Sequence, residues 1–340
     1  MRKFLRFIFI AVAVYLLWNI HFLIYGFLQL SGQLSLNWSS VPVSAYISSP
    51  DSDSLYREKL LYITKVRAFA IDSLGLHKSS NYTKFYNQHD KPVLWVVTGC
   101  RPFSLEAKSW TYPILGQLPY KGFFDEKRAI KEAQCIRNEG YESDIYCPEA
   151  WSTLGFLSDP VLSGQLKRGP GQLAELIIHE LTHSTLFLAD SADFNENFAT
   201  LVGEQGAIAF LSHYYGDASP EKIKYTHLLE DEKIYTDHIM HGAMQLDSLY
   251  NTFGSGKSFI EKCELKYKLI GKILTEIIYL PLHHKENYLF DFKNKKLPDN
   301  TWFMGFMRYR KNQQTLSLQL HNKYNNNLKL MLTDYTKNNR

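Results

Sequence analysis

The stretch LIIHELTHSTLFLADSADFNENFA, residues 176–199, decides how this chain is read. It holds His179, Glu180 and His183 in the order H-E-x-x-H within an apolar-periodic run that reads as a helix. Side chains four apart on a helix share a face, so both imidazoles can point a ring nitrogen at one metal ion. Zinc, one per chain, is the expected ion. In catalytic sites it takes three protein ligands and leaves the fourth position to water, and a glutamate beside the first histidine can take that water's proton. Glu180 suits that role. The bland alternative is a surface helix with two solvated histidines. Leu173, Leu176, Ile177, Ile178, Leu181 and Leu186 argue against it, because they wrap most of the helix in apolar side chains.

A third ligand is expected from a second helix opening at Asp193, and Glu196 is the candidate. On a 3.6-residue period Ala199, Gly203 and Ala207 share its face, so the second helix can approach the first closely. The competing reading is a capping box, with Asp193 as the cap and Glu196 reaching back to its amide. Glu204 is the rival acid, better suited to orienting a histidine than to binding metal.

Working outward, Arg2, Lys3 and Arg6 precede a run from Phe7 to Leu28 without a formal charge. About 22 such residues suffice to cross a bilayer, and the basic flank predicts a cytoplasmic N-terminus. Residues 1–30 are therefore expected to be a single-pass anchor in the cell membrane, with the rest of the chain on the extracytoplasmic, periplasmic side. Residues 31–54, rich in serine with Pro42 and Pro50, read as a tether. Residues 55–340 remain as the catalytic domain, divided into a sheet-and-site part at 55–215 and a helical part at 216–340. Thirty-eight basic residues against 34 acidic give a net charge of +4, and no basic run or aromatic-basic ladder argues for nucleic acid. Cys100, Cys135, Cys147 and Cys263 show no metal-ligand spacing. In an oxidising compartment Cys135 and Cys147 are a candidate pair.

The segment 54–76 has helical period and stops at Gly75, and Lys91–Cys100 is the best strand. After an aromatic, Gly- and Pro-rich loop at 109–124 come a helix over Asp125–Asn138 and a strand over Ser143–Cys147. The order strand, helix, strand predicts a small sheet beside the metal helices, hence an α+β, predominantly helical domain. By analogy with zinc peptidases, Val93–Thr98 or Ser143–Cys147 is a candidate edge for a substrate backbone. Glu221–Tyr250, Phe259–Leu280 and Gln313–Tyr335 read as helices. Residues 251–258, NTFGSGKS, lack the first glycine and the preceding strand of a phosphate-binding loop and read as a turn.

Through SWTYPILGQLPYKGFF, AWSTLGFLSDPVLS, LIIHELTHSTLF and FNENFATLVGEQGA, the sequence resembles the predicted aminopeptidase family of bacteria, HExxH proteins of the zincin type. The resemblance implies a zincin-like fold and a zinc-dependent peptidase acting on peptides or proteins. It also implies His179, His183 and Glu196 as ligands and Glu180 as base. Better-understood relatives of this site type carry an acid one turn after the third ligand, where this chain has Thr200, so the group that orients a histidine must come from elsewhere, and Glu204 and Asp190 are candidates. They also stabilise the oxyanion with a tyrosine or histidine, for which Tyr309, Arg308 and Tyr120 are the candidates here. Exopeptidase action does not follow from these residues. An endopeptidase acting on envelope proteins and a non-catalytic tethered scaffold are the alternatives.

Overall fold

The computed structural model describes Phe4, Phe9 and residues 20–112, 116–148, 158–189, 191–310 and 313–338. Its first long element, α1 (Ile20–Ser39), corrects the expected membrane anchor. Among the described residues no helix is long and apolar enough to cross a membrane, and most of the Phe7–Leu28 run lies outside them. The helix continues through Gln29, Ser31, Gln33, Ser35 and Asn37, polar groups that hydrocarbon would leave unsolvated. They dock the helix on protein instead. Tyr25 Oη and Gln29 Nε2 both donate to the Gly122 carbonyl, Gln33 Nε2 donates to Asp159 Oδ1 at 3.3 Å, and Leu36 is buried. The single-pass, periplasmic placement that rested on the anchor is overturned with it.

Beyond α1 the chain keeps close to the domain through the stretch read as a tether, forming β1 (Val41–Pro42) and α2 (Val43–Ser48). Asp53 then caps α3 (Ser54–Phe69), its carboxylate accepting from the Tyr56 amide at 3.0 Å. A single π turn, Ala70–Leu74, carries this helix to Gly75, whose φ of +84° ends it in the left-handed conformation. The strands that follow are short: β2 (Lys84–Tyr86), β3 (Trp95–Cys100), β4 (Trp110–Tyr112), β5 (Gly116–Leu118) and β6 (Lys121–Phe123). Then come α4 (Glu126–Asn138), β7 (Glu142–Tyr146) and β8 (Val161–Leu162). They make three small sheets where the sequence suggested one: β1-β2-β8, β6-β3-β7 and the β4-β5 hairpin. β2 runs parallel to β8 with Phe85 opposite Val161. β3 is paired on both sides, so Val93–Thr98 offers no free edge, whereas β7 lies at the sheet's margin.

The rest of the described chain is helical. Pro170 starts α5 (Pro170–His183), where its fixed φ suits the first turn, and α6 (Ala192–Tyr215) follows a short loop. After these come α7 (Pro220–Asn251), α8 (Phe259–Glu276), α9 (Asn300–Arg310), α10 (Gln313–Asn322) and α11 (Leu328–Asn338). Ser258, at the end of the NTFGSGKS turn, caps α8 in a reciprocal pair with Glu261. The described fold is thus mostly helical with small sheets, and none of its helices is long and apolar enough to be the membrane helix expected ahead of it.

The principal core packs Leu60, Ile63 and Val66 of α3 against Leu173, Ile177, Ile178 and Leu181 of α5 and Phe198, Leu201 and Val202 of α6. Each such fully buried side chain contributes roughly 2 kcal/mol of transfer free energy. α5 and α6 approach where side chains are absent. A Cβ on Gly203 would lie 3.1 Å from the Glu175 carbonyl oxygen and 3.1 Å from His179 Cβ, and one on Gly206 would lie 2.9 Å from Leu74. A second core joins α7, α8 and α9 through Ile239, Leu246, Ile270, Ile273 and Phe303. It meets the β6-β3-β7 sheet at the buried Lys266, whose ammonium pairs with Glu142 and donates to the Pro102 carbonyl at 3.0 Å. The four cysteines, including Cys135 and Cys147, are free thiols.

Candidate metal centre

The site lies at the contact of α5 and α6. His179 and His183 are one turn apart near the C-terminal end of α5, and Glu196 faces them from the second turn of α6. The loop between the helices is held by Asn195, whose Oδ1 accepts from the Leu188 amide at 2.9 Å and whose Nδ2 donates to the Leu188 carbonyl at 2.7 Å. α6 begins at Ala192 after Ser191 with no side-chain cap, so Glu196 stands past the N3 position and the capping-box alternative does not describe it. Its carboxylate turns to the histidines instead.

The distances are those of a shared ligand sphere. His179 Nε2 and His183 Nε2 are 3.1 Å apart, and Glu196 Oε2 lies 3.6 Å from the first and 3.8 Å from the second. Two ligands at about 2.05 Å in a tetrahedral arrangement are separated by about 3.3 Å. Among the described residues this is the one group of three histidine, cysteine or acidic side chains so gathered. Two imidazoles and a carboxylate are a borderline donor set that zinc accepts well. The small residues on the Glu196 face make the approach work, with Ala199 and Ala207 fully buried and Gly203 against His179.

Burial sets the electrostatics. Side-chain exposure is 16% for His179, 18% for Glu196 and 8% for His183. Burial lowers the His183 imidazolium to about 4, with the His179 charge acting the same way and Glu196 opposing both. Burial also pulls His179 down, but the hydrogen bond to Glu196 and the charges of Glu180, Glu196 and Glu175 outweigh it and leave His179 raised. Burial pushes the Glu180 carboxyl up to about 7, with Glu196 and Asp159 adding to it against His179 and Arg168. Glu180 Oε2 is buried without a hydrogen-bond partner, as is His183 Nδ1. A buried oxygen so placed is costly unless something polar meets it.

Behind His179, Tyr225 Oη of α7 donates to Glu175 Oε2 at 3.0 Å, and the Glu204 charge reaches both groups. Glu204 is therefore near this pair rather than among the three convergent ligands, as its rotation on α6 implies. Asp190 and the side chains of Arg308 and Tyr309 lie outside the described residues. Tyr120 is bonded through its carbonyl to Tyr112 Oη at 3.4 Å, in the hairpin region. Two further histidines bond away from the site: His238 Nε2 meets the Ile273 carbonyl and His283 Nε2 meets Glu230, both at 2.8 Å. Sequence reasoning missed Glu175, Arg168 and Tyr82, all electrostatically coupled to Glu180 or His179. Glu175 alone had a legible signal, since it lies one helical turn before His179.

A helix pair presenting two histidines, a facing glutamate and an unpaired buried glutamate defines a candidate hydrolytic metal centre. The family model described as "Putative aminopeptidase" matches residues 25–337, and the chain belongs to that family. No curated protein and no solved structure gives a match.

Proposed function

We propose that the protein is a zinc-dependent peptidase of the zincin type, an aminopeptidase. His179, His183 and Glu196 hold the ion and Glu180 serves as general base. The observation that carries this reading is the convergence of His179 Nε2, His183 Nε2 and Glu196 Oε2, with Glu180 Oε2 unpartnered beside them. Membership of an aminopeptidase family supports the reaction class. When bound, zinc supplies Lewis acidity, polarising the scissile carbonyl and acidifying a water. Glu180, raised to about 7 by burial, is matched to exchange a proton near neutral pH. It takes a proton from the attacking water as the oxygen–carbon bond forms. It then passes the proton to the amine nitrogen as the carbon–nitrogen bond breaks.

The test is metal content and peptide turnover for wild type, Glu180→Gln and Glu196→Ala on a mixed peptide library read by mass spectrometry. One zinc per chain with stepwise N-terminal trimming is expected for wild type, zinc without turnover for E180Q, and weakened zinc binding for E196A. Equal turnover by wild type and E180Q refutes the assignment. Free peptides cut in preference to N-terminally blocked ones establish exopeptidase action.

A further inference from the structure

Three polar side chains meet at the edge of the second core, each of a type that protein interiors seldom hold. Lys266 of α8 and Asn300, the first residue of α9, are fully buried, and Glu142 opens β7 with its carboxylate largely covered. Glu142 touches both partners. One of its carboxylate oxygens pairs with the Lys266 ammonium, and the other accepts from the Asn300 backbone amide at 3.0 Å. The side chains of Lys266 and Asn300 also converge on a single atom. Lys266 Nζ donates to the Pro102 carbonyl oxygen at 3.0 Å, and Asn300 Nδ2 donates to that same oxygen at 3.2 Å. An amine and a carboxamide are therefore neighbours, with a carboxylate against both residues.

Packing alone does not call for this group. Burying an ion pair costs about as much in desolvation as its attraction returns, and an apolar residue of similar volume would serve the core as well. The surroundings instead favour chemistry at the Asn300 carboxamide. Tyr250 Oη, at the end of α7, donates to Asn300 Oδ1 at 2.7 Å and so draws electron density from the carboxamide carbon. Asn300 Nδ2 donates also to the carbonyls of Arg101 at 2.9 Å and Ser104 at 3.4 Å, which fixes the plane of the group. Aromatic rings keep water away: the Lys266 ammonium lies 5.6 Å from the Tyr267 ring centre and 6.0 Å from that of Tyr250, and Phe303 is fully buried in the same core. Burial raises the Glu142 carboxyl against the pull of Lys266, so a proton can pass to it from the ammonium. The amine left behind is a nucleophile.

We propose that Lys266 and Asn300 become joined by an isopeptide bond, which the chain forms on itself with Glu142 carrying the protons. Lys266 gives one proton to Glu142, and the neutral amine attacks Asn300 Cγ. The oxygen of the tetrahedral adduct keeps the hydrogen bond from Tyr250 that the carboxamide oxygen already has. Glu142 passes its proton to Nδ2, the carbon–nitrogen bond breaks and ammonia leaves. Glu142 then takes the surplus proton from the new amide nitrogen. A secondary amide, one ammonia and a neutral carboxyl thus replace the ion pair and the carboxamide, with no oxidant or cofactor. The bond ties α8 to α9 across residues 277–299, where the helical elements are single 3₁₀ turns, and so restricts the unfolded chain there. It is independent of the metal centre.

The experiment is the intact mass of the full chain, denatured and reduced after prolonged incubation in the folded state, for wild type, Lys266→Arg, Glu142→Gln and Asn300→Asp. Bond formation expels ammonia, so wild type is expected about 17 Da below the mass of its sequence. Its digest should contain a branched peptide in which the segments around Lys266 and Asn300 travel together. K266R keeps the charge but cannot attack, because a guanidinium holds its proton, and is expected at full mass with a lower melting temperature. E142Q lacks the proton carrier and is expected at full mass. N300D offers a carboxyl and is expected to close the same bond with loss of water, about 18 Da. Wild type at its full sequence mass overturns the inference. So does an ammonia loss that persists in K266R, since an asparagine that cyclises on its own backbone also sheds ammonia. If K266R or E142Q fails to fold, N300D decides: the same branched peptide formed by loss of water supports the bond, and its absence overturns it.

Discussion

Replacing Glu180 by glutamine in the metal-free protein isolates the cost of burying its carboxylate. The folded carboxyl titrates at about 7 against its ordinary 4.5, because burial disfavours the charged form and Glu196 and Asp159 add repulsion. A raised carboxyl favours the folded state below 4.5, and that advantage is lost as pH rises from 4.5 through about 7. The 2.5 pH interval between those values corresponds to about 3 kcal/mol. Glutamine has nearly the same shape and no charge, so chelator-treated E180Q should match wild type near pH 4.5 and be about 3 kcal/mol more stable at pH 8.5. Urea unfolding at the two pH values, with the chelator kept in both, reads the difference directly. His183, lowered to about 4 by burial, is neutral at the upper value and adds nothing to the comparison there. A stability difference that does not change between the two pH values would refute the burial argument.

Zinc should stabilise wild type against heat by an amount that grows with its concentration, about 2.7 kcal/mol at a hundred times Kd, and E196A should show much less at the same zinc concentration. Gly203→Val puts side-chain atoms where even a Cβ lies 3.1 Å from His179 Cβ and from the Glu175 carbonyl. It should push α6 off α5, weaken zinc binding at least tenfold and cost about 1–3 kcal/mol, checked by zinc titration and unfolding. Asn195→Ala removes both hydrogen bonds to Leu188 and should cost about 1–3 kcal/mol in unfolding, with a looser metal site. Against wild-type chains in which Lys266 and Asn300 are not joined, Glu142→Ala leaves the buried Lys266 ammonium without its carboxylate and should destabilise by about 3–5 kcal/mol, much of which Lys266→Met restores in the double variant.

Several features were readable before any fold was known because they depend on contacts within one or two helical turns. His179 and His183 share a face by the geometry of the α-helix alone, and the apolar residues around them announce burial. The small residues after Glu196 anticipated the close approach of α6, which the structure makes at Gly203. The Phe7–Leu28 run misled because hydropathy counts apolar residues and ignores what lies beside them. The polar face of α1, from Gln29 to Asn37, finds its partners at Gly122 and Asp159, some 90 to 130 positions away. The sheet was foreseen in outline, but whether β3 is an edge depends on partners on both flanks, which one strand's sequence does not encode.

By itself, then, the sequence determined the shared face of His179 and His183 on α5, the acid offered from α6 and the helical character of most of the chain, since each follows from local periodicity and side-chain chemistry. Only the tertiary structure decided that Glu196 meets both histidines rather than capping its own helix, and that α1 packs on the domain. It also decided that Lys266, Glu142 and Asn300, set on three separate elements, meet in one buried cluster. Those facts depend on where distant segments come to rest against one another, and that is set by the packing of the whole core.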